Sequence, residues 1–96
     1  MDPAVFGIPA VSEALPDDPA VKALQDFAND AKYDRNELTI TVARENIVAA
    51  AEALRQAQFV FLEDVTAVDW YPSEPRFQIS YSFLSFALKR RVRVVV

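Results

Sequence analysis

The run Gln58-Phe59-Val60-Phe61-Leu62-Glu63-Asp64-Val65-Thr66-Ala67-Val68-Asp69-Trp70 decides how the chain is read. Its first part is nearly continuous apolar sequence. Its second part sets aspartates among β-branched residues, the composition of a strand buried at one end and exposed at the other. The segment is therefore expected to be the central strand of a sheet, running from Gln58 to Tyr71 with an interruption near Glu63-Asp64.

Toward the C-terminus the alternation continues. Pro72-Ser73-Glu74-Pro75 reads as a turn, because two prolines stop either neighbouring strand from running through. From Arg76 to Ser85, Phe77, Ile79, Tyr81 and Phe83 alternate with Gln78, Ser80 and Ser82, which makes a strand with one aromatic face. After a turn over Phe86 to Lys89, Arg90 to Val96 is a last strand with Val92, Val94 and Val96 on one side. The chain stops inside this apolar run without a cap, which reads as truncation. An uncovered C-terminal strand is expected to pair the isolated chain into a homodimer.

Toward the N-terminus, Arg44 to Ala57 is a core-facing helix with Ile47, Ala50, Ala51, Leu54 and Ala57 on one side. Glu37 to Val42 alternates as a half-buried strand, and Asp34-Arg35-Asn36 is the turn before it. Ala31 to Tyr33 completes a hairpin as an edge strand or else continues the preceding helix; the hairpin is favoured. That helix starts at Asp17-Asp18-Pro19, with Asp18 as N-cap and Pro19 at the first helical position. Its stripe of Val21, Leu24, Phe27 and Ala28 extends toward Ala31, with Asn29-Asp30 ending it. Residues 1–16 carry Pro3, Pro9 and Pro16, expected to block regular helix and leave an arm. The sum is an α+β fold: residues 17–96 as one domain, a largely antiparallel sheet with two helices packed on one face.

Composition removes whole classes of chemistry. The 96 residues contain no cysteine and no histidine, so disulfides, thiolate-held iron–sulfur clusters and the usual zinc, haem and copper ligands cannot be written, nor a histidine general base. Gly7 is the single glycine, which excludes a Gly-rich dinucleotide turn or a phosphate-cradling loop. No catalytic, cofactor or metal residue is assigned. No apolar stretch reaches the ~18 residues of a membrane span, and Met1-Asp2-Pro3 lacks the basic start of a secretory signal, so a cytoplasmic protein is expected. A net charge of -4 disfavours nucleic acid as a partner.

The charge is unevenly placed: all fourteen acidic residues lie at or before Glu74, with five basic ones, whereas Arg76 to Val96 holds five basic residues and no acid. Lys89-Arg90-Arg91-Val92-Arg93 reads as a solvated turn or as a surface for an acidic protein partner, ahead of a nucleic-acid or lipid patch. Asp64 and Asp69 are five apart, on opposite sides of an unbroken strand, and solvation of the strand end explains them better than acid–base catalysis. Asp69 beside Trp70 and Tyr71 suits an interface anchor. The candidate partner interface is Asp64, Asp69, Trp70, Tyr71, Tyr81, Arg90, Arg91 and Arg93.

The pattern Leu-x-Asp-Val-Thr-Ala-Val-Asp-Trp on Leu62 to Trp70 resembles the signature segment of the 30 kDa-type subunit, also called the C subunit, of proton-translocating NADH-quinone oxidoreductase, respiratory complex I. Arg76 to Ser85 resembles the family's next segment with its strand-borne tyrosine, and the likeness extends from about Glu37 to Val96. It implies a cofactor-free scaffold of the hydrophilic arm, peripheral on the cytoplasmic face of the inner membrane without spanning it. Its partners would be other subunits of that arm, chiefly the quinone-site subunit. The family's second half, with a Glu-Arg-Glu-rich motif and a Pro-Leu-Arg ending, is not in this sequence. The alternative is a free-standing protein-binding module that uses a sheet edge or the basic hairpin.

Overall fold

The computed structural model describes residues 4–35, 37–74 and 77–96. Asn36 and Pro75, which the sequence places in turns, Arg76, which it places at the start of a strand, and Met1 to Pro3 of the arm lie outside these residues. The order of elements is β1 (Val5–Phe6), α1 (Ile8–Ala14), α2 (Pro19–Leu24), β2 (Ala28–Asp34), β3 (Glu37–Val42), a 3-10 turn (Arg44–Asn46), α3 (Ile47–Gln56), β4 (Phe61–Asp69), β5 (Phe77–Ser85) and β6 (Arg90–Val95).

The strands form one sheet in the order β1-β2-β3-β6-β5-β4. Every neighbouring pair is antiparallel except β3 and β6, which run parallel with Leu38 opposite Val92 and Ile40 opposite Val94. The α+β expectation holds, with the correction that a parallel pair sits at the heart of the sheet. The chain after α3 runs out to the far rim as β4, and the β4-β5-β6 meander then returns until its last strand reaches β3. This long excursion satisfies the rule that parallel neighbours need a crossover.

Alternate strand residues meet the helices. Leu38, Ile40, Val42, Val92, Val94 and Phe83 join Val11 of α1, Ala20 and Leu24 of α2, and Ala50 and Leu54 of α3 in one buried cluster, closed by Phe59 after α3. Three helices, not two, contribute to it. The pitch of α3 puts Ala50 and Leu54 against the sheet, and the small Ala50 lets the helix approach closely.

Residues 4–16 differ from expectation in a way proline chemistry explains. Pro9 stands at the first turn of α1, where its missing N–H costs nothing, and Pro16 follows the helix end. Gly7, at φ 93, supplies the left-handed corner from β1 into α1, and its N–H donates to the Ala31 carbonyl at 2.7 Å. Val11 is buried, so α1 is docked on the core.

The helix begun at Asp18 ends at Leu24, more than a turn before Asn29-Asp30, and Ala28, Asn29 and Asp30 belong to β2. Pairing with β3 overrides local helical pattern here, with a register irregularity between Ala28 and Asp30 absorbing the misfit. The hairpin at Ala31 to Tyr33 is present.

Two strand placements are reversed. The expected central strand, β4, is the outermost strand, and all nine of its residues are exposed. The C-terminal strand, expected to have an open edge, is an inner strand paired on both sides, with Val92, Val94 and Val95 buried. The premise of a homodimer through that edge therefore fails. The interruption near Glu63-Asp64 is real: the β4–β5 register shifts between Leu62 and Asp64.

Leu54 is wholly buried under α3, so Leu54→Ala is expected to lower unfolding free energy by about 2–5 kcal/mol in urea denaturation. Val48→Ala, on the same helix but exposed, should stay within about 0.5 kcal/mol of wild type.

Candidate functional site

The helices cover the β2, β3 and β6 side of the sheet and leave β4 without a lid. Between α3 and the β5–β4 rim runs an apolar groove of about 550 Å³, lined by Ile47, Val48, Ala51, Phe59, Val60, Leu62, Tyr81 and Phe83, with Glu52 and Arg55 at its lip. Val48 is 79% exposed and Val60 69% exposed. Tyr81 and Phe83 stack in its floor with ring centroids 6.5 Å apart.

From Leu62 at the groove, exposed apolar side chains continue along β4 and the start of β5 with Phe61, Val65, Val68, Trp70, Tyr71 and Phe77. So many exposed apolar side chains on one strand and its ends mark a contact region. Arg55 clamps Glu52 through Nε (2.9 Å) and Nη2 (2.6 Å). Hydrogen bonds from Arg55 and then Gln56 hold the Glu52 carboxyl below its ordinary value. This lip interaction is therefore present above the usual carboxylate range and lost as pH falls through the lowered one. The pair is exposed and adds little to stability.

The interface residues expected from sequence separate into two groups. Asp64, Asp69, Trp70, Tyr71 and Tyr81 all lie on the β4–β5 rim. Asp69 shares the groove-side face through its register with Phe77, while Asp64, opposite Ser82, points to the other face. Trp70 Nε1 donates to Gln78 Oε1 at 2.5 Å, the Tyr71 N–H donates to Asp69 Oδ1 at 2.9 Å, and the Ser73 N–H donates to the Trp70 carbonyl at 2.7 Å. These bonds fix the end of β4 in a tight turn with a cis Tyr71-Pro72 bond and leave Tyr71 73% exposed.

The three arginines are spread apart and each finds an acid. Arg90 pairs with Asp18, Arg91 Nε with Glu63 Oε2 at 3.0 Å, and Arg93 Nη1 with Glu37 Oε1 at 2.6 Å. The basic C-terminal stretch is thus partnered by the acidic part of the chain. Of these pairs only Arg91–Glu63 reaches β4.

Of the groove residues the sequence singles out Tyr81, while Val48 and Val60 do not stand out in it. The available signal was the apolar arc of α3, which Val48 makes one residue wider than the core requires. Among the described residues no group of three or more acids comes together as a metal site, and no helix is long and apolar enough to cross a membrane. What the surface offers is main-chain hydrogen bonding along an open strand, apolar burial in the groove and carboxylates beside both.

Fold and surface together define an α+β domain presenting an exposed strand edge beside an apolar groove. The sequence profile of the family described as respiratory-chain NADH dehydrogenase, 30 Kd subunit, matches residues 40–96, and the chain belongs to that family. It is 42% identical over 78 residues to the NADH-quinone oxidoreductase C subunit of Citrifermentans bemidjiense, covering 77% of this chain and 48% of that protein. It is 34% identical over 77 residues to NADH-ubiquinone oxidoreductase subunit 9 of Reclinomonas americana, covering 77% of this chain and 38% of the relative. The chain thus spans about half or less of the length of these relatives. A solved structure of the trypsin-resistant fragment (1-134) of Nqo5 superposes with a TM-score of 0.68 at 18% identity, over 90% of this chain and 68% of that one, which establishes a shared fold.

Asp18 is the one buried carboxylate of the described residues: its side chain is 3% exposed, against 43% for Arg90. Its Oδ1 accepts the N–H groups of Ala20 (2.9 Å) and Val21 (3.1 Å), capping α2. Arg90→Leu, which leaves that carboxylate without its cation, is expected to cost about 1–3 kcal/mol of stability. Asp18→Asn keeps an N-cap side chain and frees Arg90 to water, at a cost of about 1 kcal/mol or less. The double variant should recover part of the Arg90→Leu loss; equal and additive losses in denaturant titrations would count against the pair.

Proposed function

We propose that the chain is a cofactor-free scaffold of the hydrophilic arm of an NADH-quinone oxidoreductase, docking on the quinone-site subunit through the β4 rim. The carrying observation is that the nine residues Phe61 to Asp69, which hold most of the family-like segment, are all exposed although the run is dominated by apolar and β-branched side chains. A strand with that composition on the rim needs cover, and in a multisubunit enzyme a neighbouring subunit supplies it. Family membership supports the choice of enzyme.

In this role the chain performs no redox step. It positions a neighbour by burying Leu62, Val65, Trp70 and Tyr71 against it, on the cytoplasmic side of the membrane. Trp70 and Tyr71 are the anchors, since large aromatic side chains with a polar tip contribute most where they are fully desolvated. A free-standing binding module using the same open edge is the second reading, favoured by the buried cluster that the chain's own helices and strands form.

Co-purification from detergent-solubilised membranes of a host that lacks its own 30 kDa-type subunit separates the two. The tagged chain should bring down the iron–sulfur and quinone-site subunits, and Leu62→Ser/Val65→Ser should cut their yield by roughly tenfold or more while the melting curve stays close to wild type. Recovery of one soluble partner and no iron–sulfur subunit would refute the scaffold role.

A further inference from the structure

We infer that β4 takes up an extended segment of a partner protein as an added strand, one in which apolar residues on the groove side alternate with lysine or arginine on the other. The inference rests on the scaffold reading only for where the partner resides; the mode of binding rests on the geometry of the edge.

The phase of the hydrogen-bond ladder determines which main-chain groups are open. The Ile79 N–H and carbonyl exchange hydrogen bonds with Val96 at 3.1 and 3.0 Å, so Ile79 faces β6. Direction alternates along a strand, and Gln78, Ser80 and Ser82 therefore face β4, where their register partners are Val68, Thr66 and Asp64. It follows that Val65 and Ala67 turn their N–H and carbonyl groups away from β5, toward the open side of the outermost strand. These are the groups that a further strand would engage.

Side chains state what that strand should carry. Leu62, Val65 and Ala67 share the face of Phe83, Tyr81 and Ile79, and the groove beside Leu62 and Tyr81 continues this surface up to Val60 and Val48. Apolar residues of the incoming strand fit there. The other face presents Phe61, Asp64, Thr66 and Val68, with Phe61 set against Phe86 at 5.6 Å.

β4 carries Glu63, Asp64 and Asp69 and no basic residue. Arg91 holds Glu63 at the register shift, while Asp64 stands exposed on the far face. A cation on the incoming strand complements it. A second copy of β4 would instead set three carboxylates of one strand along three of the other, which disfavours self-pairing. The irregularity at Glu63 limits the open ladder to the stretch from Asp64 to Asp69, enough for an ordinary short strand.

The test uses the full 96-residue chain and two synthetic heptapeptides with blocked ends, one alternating lysine with valine and one alternating glutamate with valine. Trp70, the only tryptophan and the residue after β4, is the fluorescent reporter. Saturable binding of the lysine peptide is expected, roughly tenfold or more tighter than the glutamate peptide and weakened by added salt. Ala67→Pro removes an N–H that points to the open side and leaves the β5 ladder intact; it should weaken binding about tenfold or more with an unchanged circular dichroism spectrum. Asp64→Lys, a surface change that does not touch the backbone, should erase the preference for lysine.

Equal affinity for the two peptides, no saturable binding, or full binding by a folded Ala67→Pro would overturn the proposal, as would a dimer of the free chain that the lysine peptide does not dissociate. Peptide binding without co-purification of iron–sulfur subunits would retain strand addition and reject the scaffold role. Co-purification without peptide binding would do the reverse.

Discussion

The parallel pairing of β3 with β6 is the constraint from which the architecture follows. Val92 and Val94 lie against Leu38 and Ile40 in the middle of the buried cluster, and Val95, from the opposite side of the strand, is buried as well. Once the last strand occupies this slot, the preceding strand can only lie beyond it and the one before that beyond both. The family-like segment is carried to the rim by the path of the chain, in spite of a composition suited to an interior strand. A parallel arrangement built by returning through a meander also means that the core closes only when β6 is in place.

Electrostatics follows the same long-range logic. The sequence divides its charges into an acidic part and a basic tail, and the fold brings the two together: Glu37, Glu63 and the buried Asp18 each meet one arginine of the last strand. The exposed members of this set are worth little singly. The Asp18–Arg90 contact differs because one partner has left water and also caps α2, so it links the helical layer to the start of β6. A basic stretch that looks like a docking patch in one dimension is, in three, partnered within the chain, and the apolar rim becomes the surface with unmet potential.

Local signals were legible where local physics decides. The Asp18 cap, the Glu37 to Val42 alternation, a helix within Arg44 to Ala57 (observed as Ile47–Gln56 after a 3-10 turn) and the irregularity at Glu63 could each be read from a few adjacent residues. Position within the sheet could not, because an apolar strand reads alike at the centre and at a sticky rim, and only pairing distinguishes them. Prolines are ambiguous for a specific reason: Pro9 sits in the first turn of α1 and Pro16 follows its end, and neither position breaks the helix. The groove leaves no pattern in the sequence because it is assembled from Val48 on α3, Val60 in the connection and Tyr81 on β5, residues with no shared periodicity.

The open edge of β4 is best tested by amide hydrogen exchange on the chain alone and in the assembled complex. In the free chain the Val65 and Ala67 N–H groups should exchange fast while those of Thr66 and Val68, bonded to β5, exchange slowly, and assembly should slow the first pair. Uniform slow exchange along β4 in the free chain, or no change at Val65 and Ala67 on assembly, would contradict an open edge that a partner strand completes.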